Sequence, residues 1–200
     1  MFTRVLTFSG AKNFDAGLGV VRESALPVLQ KLNGYRGMSV SADRDGGVFG
    51  ILSLWETEAD RDASLDALAG VRQQGLDALG GSELTVENFE ELVQEVASPP
   101  TVGSPLMITR VSMDPSKIDE NLGFFKSEIA PRIAAAPGFV ALRNMMDRKK
   151  GRGVVGSVWA DQDAMKNAAA QAQARRPEGQ ARGVSFDEDS YREILFLDAM

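Results

Sequence analysis

Apolar and polar positions fall into one rhythm that the chain runs through twice. Phe2–Phe8 alternates with period two, as a strand with one buried face does. Phe14, Leu18, Val21, Ala25, Val28 and Leu32 then recur at helical spacing. Gly34 marks the stop of that helix, in the way a left-handed C-terminal glycine does. Two apolar runs follow, about Tyr35–Ala42 and Val48–Trp55, joined by Asp43-Arg44-Asp45-Gly46-Gly47, a hairpin signal. A second helix is predicted near Glu58–Leu79 and a last strand near Asn88–Val96. The order is strand, helix, strand, strand, helix, strand.

The second half repeats it. Ser53-Leu54-Trp55 returns as Ser157-Val158-Trp159, 104 residues later. The same offset pairs Asp15 with Asp119, Pro27 with Pro131, Gly34 with Gly138, Asp43-Arg44 with Asp147-Arg148 and Gly47 with Gly151. The second helical stripe is Ile118, Leu122, Phe125, Ile129 and Ile133. Strands are predicted at Phe139–Met146, Val154–Trp159 and Ser190–Leu197, and the second helix at Gln162–Ala174. Ala97 to Pro105 holds three prolines among small residues, a semi-stiff linker. The expected domains are therefore repeat 1 over 1–97, a linker over 98–105 and repeat 2 over 106–200. A proline kept at one point of both first helices predicts a required kink, since proline removes a helical hydrogen bond.

The copies differ where the second helix meets its sheet. The first has Leu65, Leu68, Val71 and Leu79 to bury; the other offers mainly alanine. That helix either lies closer to its sheet or leaves a larger cavity. Close packing is the expectation, because interiors avoid voids.

Composition narrows the chemistry. The chain lacks Cys and His entirely. Thiol chemistry, His-based triads and the commonest zinc sites are thereby excluded, and no metal is expected. The formal net charge of −6 argues against nucleic acid as a partner. Residues 1–97 carry 8 basic and 15 acidic side chains, whereas 98–200 carry 14 and 13. One reading of that asymmetry is a pocket in the second half that favours anions. No stretch approaches the ~18 apolar residues of a membrane span, and no signal peptide is evident, so a cytoplasmic location is expected.

The β-α-β-β-α-β order, Gly34-Tyr35 and Gly138-Phe139 at the helix ends, and the tryptophans closing the third strands carry a resemblance. The chain resembles the dimeric α+β barrel proteins, and among them the antibiotic-biosynthesis-monooxygenase-like family. The resemblance implies an α+β fold. Two tandem ferredoxin-like repeats would join their sheets into an intramolecular dimeric α/β-barrel, a pseudo-dimer within one chain. It also implies a pocket between sheet and helices. Some members oxidise aromatic polyketides with molecular oxygen and no cofactor; others degrade haem, using a histidine that this chain does not have.

Ligand-binding candidates follow. Trp55 and Trp159, with Ser53 and Ser157 on the same strand faces, would stack on a planar ligand and hydrogen-bond it; the competing reading makes both tryptophans core anchors. Arg4 and Arg110, each in a Thr-Arg-Val on a first strand, and Arg143 would hold an oxyanion or phenolate. Glu91 and Glu193 are matched carboxylates on the last strands, and Arg175-Arg176-Pro177 is expected on a loop at the pocket lip. No residue is assigned as catalytic. The function expected is a cofactor-independent monooxygenase-like protein acting on or binding a small aromatic, polyketide-like molecule. The alternative is a non-catalytic ligand-binding or stress-related structural barrel.

Overall fold

The computed structural model describes residues Met1–Ala199. In chain order the elements are β1 (Phe2–Ser9), α1 (Phe14–Val20), α2 (Leu26–Leu29), β2 (Tyr35–Asp43), β3 (Val48–Trp55), α3 (Glu58–Ala67), α4 (Ala69–Leu79) and β4 (Glu83–Val96). The second set is β5 (Pro105–Ser112), α5 (Ile118–Phe124), α6 (Ala130–Ala134), β6 (Phe139–Asp147), β7 (Arg152–Trp159), α7 (Gln162–Gln180) and β8 (Ser185–Asp198). Hydrogen bonding links the strands in the order β1-β3-β2-β8-β5-β7-β6-β4 and closes them into a barrel. This is an α+β fold built from tandem ferredoxin-like repeats.

The repeats in sequence and the compact units in space have different boundaries. One unit is Met1–Asn88 with the chain end from Glu193; the other is Phe89–Arg192. The long last strands explain this. Glu90–Val96 of β4 pairs with β6, and Glu193–Asp198 of β8 pairs with β2. Each repeat thus lends the end of its fourth strand to the other unit's sheet.

In the first unit β3 runs antiparallel between β1 and β2, with Phe8 opposite Phe49 and Val40 opposite Ile51. Its core gathers Phe8, Phe49, Met38, Val40, Trp55 and Leu79 under the helices. In the second unit β7 lies between β5 and β6 in the same way, with Val111 opposite Gly153.

The proline kink takes the same form in both units. Between α1 and α2 the helix opens into a π-turn over Val21–Ala25, and between α5 and α6 over Phe125–Ile129. Pro27 and Pro131 have no N–H for the carbonyl one turn back. The chain instead bonds five residues back, Leu26 N–H to Val21 and Ala130 N–H to Phe125, and places proline in the first turn of the next segment. The extra residue bulges each helix over its sheet.

Two sequence expectations change. The first long helix breaks at Leu68, whose backbone leaves the helical region (φ −109, ψ 10). Arg175-Arg176-Pro177 is not on a loop, because α7 continues through Pro177 to Gln180.

Candidate ligand-binding site

Strand register decides which first-strand residues face the helices. Arg4 stands opposite Ser53, and Met107 stands opposite Ser157. Since Ser53 and Ser157 are the same repeat position, the counterpart of Arg4 is Met107. Arg110 stands opposite Val154, as Thr7 stands opposite Gly50, so its counterpart is Thr7. The two Thr-Arg-Val motifs are therefore three residues out of step, and an odd step reverses the strand face. The expectation that Arg4 and Arg110 form a matched pair is corrected on this ground. Arg110 instead makes an ion pair with Glu188 at 3.6 Å.

Arg4 is buried beneath the helices. Its Nε donates to Asn88 Oδ1 at 3.0 Å and its Nη1 to Ser64 Oγ at 2.6 Å. Burial, with Arg61 and Arg72 nearby, lowers its pKa from the usual guanidinium value, and Asp62 offsets this in part. Arg143 is ion-paired with Glu91, and Glu193 with Arg44 at 2.9 Å. These carboxylates are engaged by cations and do not present a free base.

Both tryptophans are fully buried, at 0% and 1% exposure. Each indole Nε1 donates to its own Ser-x-Trp hydroxyl at 3.0 Å, Trp55 to Ser53 and Trp159 to Ser157. Each ring meets an aromatic edge-on, Tyr35 or Phe139. The motif thus satisfies a buried N–H inside the core. Trp55, Trp159 and Ser157 do not line the cavities described next.

Each unit has a cavity between sheet and helices, at equivalent positions. The first measures about 50 Å³ and has Arg4, Ser53, Phe8, Leu6 and Phe49 in its wall. The second measures about 150 Å³. Its extra space has a residue-level cause. The Phe8–Phe49 pair, ring centroids 6.1 Å apart, is replaced by Val111 and Gly153, and Leu6–Ile51 by Thr109 and Val155. Met146 refills part of the gap over Gly153, where an added Cβ would come within 2.7 Å of the Met146 Cε. The alanines of α7 contribute as well. Ala164 and Ala168 pack closely with Trp159, but Ala172 borders the open cavity. Close packing therefore holds around Trp159, and the cavity opens beside Ala172.

The second cavity also acquires polarity. At positions offset by 104 residues, Gly17 becomes Asn121, Val40 becomes Asn144 and Val71 becomes Arg175; through the register, Leu6 becomes Thr109. All four polar residues line the cavity. Thr109 donates to Asp189 at 2.9 Å, and Asn121 Nδ2 donates to backbone carbonyls of Lys117 and Arg182. Asn144, 8% exposed, makes no side-chain hydrogen bond among the described residues. No single-letter motif marks Asn144; comparing the two copies position by position is the signal that finds it.

Phe124 lines the cavity and also a broad solvent groove holding Asp114, Lys117, Glu120 and Arg182. The Arg182 guanidinium sits 3.8 Å from the Phe124 ring centroid, so this stack stands at the mouth. Among the described residues no cluster of His, Cys, Asp and Glu suits a metal ion, and no helix is long and apolar enough to cross a membrane.

The fold is that of a two-repeat α+β barrel, and solved structures share it. The structure of an anthrone oxidase-like protein superposes with TM-score 0.69 at 16% identity, covering 98% of this chain and 92% of that one. An uncharacterized ferredoxin-fold protein from Listeria monocytogenes 4b F2365, related to antibiotic biosynthesis monooxygenases, gives 0.54 at 8% identity, covering 96% and 94%. In sequence, an uncharacterized protein of Mycobacterium tuberculosis H37Rv, Rv2557, is 28% identical over 183 residues, 90% of this chain and 81% of that protein. No family model matches the sequence.

Proposed function

We propose that this protein binds a small aromatic molecule in the second unit's sheet–helix cavity and oxygenates it without a cofactor. The observation that carries this reading is Asn144, a mostly buried residue whose side chain makes no hydrogen bond among the described residues and borders a largely apolar space of single-ring size. An apolar cavity of about 150 Å³ accepts benzene in a protein interior. The anthrone oxidase-like and monooxygenase-related fold neighbours support oxygenation as the chemistry.

The lining offers no carboxylate or imidazole base. A substrate must therefore lose its proton by its own acidity, as anthrone-like and hydroquinone-like compounds do. Asn144 and Arg175 would stabilise the resulting oxyanion by charge-assisted hydrogen bonding in a dry site. In the balanced reaction of an activated methylene, one oxygen atom of O2 becomes the new carbonyl. The other leaves as water with the two hydrogens of the methylene. The cavity wall orients the ring and excludes bulk water.

The test is oxygen uptake with a panel of single-ring hydroquinones and single-ring compounds that carry an activated methylene, with labelled dioxygen traced into the product. Uptake is expected for wild type and should fall at least tenfold in Asn144→Val, which restores the first copy's residue. Binding of these compounds without oxygen uptake would favour the alternative, a non-catalytic ligand-binding barrel. Neither binding nor uptake would remove both readings.

A further inference from the structure

We infer that the molecule held in the second cavity is an aromatic anion, a single ring whose acidic substituent is recognised by Arg175. This deepens the reading above and rests on it for the location of the site. Arg175 is half-buried and lines a largely apolar wall that contains no Asp or Glu. It makes no ion pair or hydrogen bond among the described residues.

The arginines around it are all engaged. Arg176, its neighbour on α7, pairs with Asp189 and lies over the Phe186 ring. Arg182 lies over Phe124 and pairs with Glu120 at 3.8 Å. Arg132 pairs with Glu128 and Glu178. The Asp189 carboxylate is held by Arg176, Gln173 and the hydroxyl of the cavity residue Thr109. An unpaired guanidinium beside apolar surface favours a planar anion, which it grips with two parallel N–H groups. The first copy has Val71 at this position, in the wall of the smaller cavity, so packing alone does not demand an arginine. The shift of the second half toward positive charge agrees in direction.

Two contacts then define the ligand class. Arg175 takes a carboxylate, phenolate or enolate, and the Asn144 amide takes a second polar group carried by the ring. The space left between them is apolar and suits a single ring.

Calorimetric titration of the full chain at low salt, with benzoate and its neutral isostere benzamide, tests this. Benzoate is expected to bind about tenfold more tightly than benzamide. Arg175→Gln should abolish that preference, while Arg175→Lys, which keeps the charge, should retain part of it. Equal binding of both probes to wild type would overturn the anion assignment and leave the aromatic site standing. An unchanged preference in Arg175→Gln would overturn the role of Arg175. Failure of both probes to bind would remove the site itself.

Discussion

At the residue scale, the same side-chain type does different work according to the face it occupies. Ser157 is the sharpest case. Its hydroxyl accepts the Trp159 indole N–H at 3.0 Å in a fully buried setting. Ser157→Ala leaves that N–H without an acceptor, and an unsatisfied buried donor costs about 1–3 kcal/mol. Chemical denaturation should report a loss in that range, while benzoate affinity stays within twofold of wild type. A tenfold loss of affinity with unchanged stability would return the motif to the ligand site. Sequence reading found Ser53, Trp55, Ser157 and Trp159 and both of their possible roles. It could not choose, because a ligand-stacking indole and a core indole have the same spacing and the same neighbours. The arginines show a different limit. Thr-Arg-Val occurs twice, yet only cross-strand pairing shows that Arg4 faces Ser53 while Arg110 faces Val154. A three-residue slip is invisible in composition and reverses the strand face.

At the scale of elements, the helices are held to their sheets by a few points of close approach. Gly138 precedes β6 with φ +78, and a Cβ there would lie 2.6 Å from the Cβ of Ala164 in the first turn of α7. Both neighbours are rigid, so neither can swing aside. Gly138→Ala therefore combines left-handed strain of about 1–2 kcal/mol with overpacking of about 1–3 kcal/mol. Thermal unfolding should show a drop of at least 2 kcal/mol, and hydrogen exchange should place the loosening in the first turns of α7. A change below 0.5 kcal/mol would mean that α7 is not pinned there. The glycine itself was legible as a helix stop, and so was the shared proline. The π-turn was not, because apolar spacing over Phe125–Ile129 reads the same whether hydrogen bonds span four residues or five. The cavity was legible only as a choice. Alanine-rich α7 allowed either close approach or open space, and the outcome was set by Val111 and Gly153 on other elements.

At the scale of the whole chain, the exchanged strand ends make the last residues part of the first unit. Val40 on β2 pairs with Phe196 on β8, and the Tyr35 hydroxyl donates to Asp198 Oδ2 at 2.9 Å across 163 residues of sequence. Partial burial and the Asp198 carboxylate raise the Tyr35 pKa well above the ordinary phenol value. The sign of the linkage follows. The folded state keeps the phenol protonated, so the stability from this group is fully present below the unfolded pKa of about 10. Above that pH the unfolded chain ionises its tyrosine while the folded one does not, and stability falls as pH rises toward the folded value. Tyr35→Phe removes the titration together with the hydrogen bond. Urea midpoints taken from pH 8 to pH 11 should therefore show wild type more stable than Tyr35→Phe at pH 8, with the gap shrinking steadily beyond about pH 10. Other groups titrate in this range in both proteins and cancel in the difference. A gap that stays constant to pH 11 would mean that Tyr35 ionises equally in both states. Asp198 would then not be holding the end of β8 through a protonated phenol.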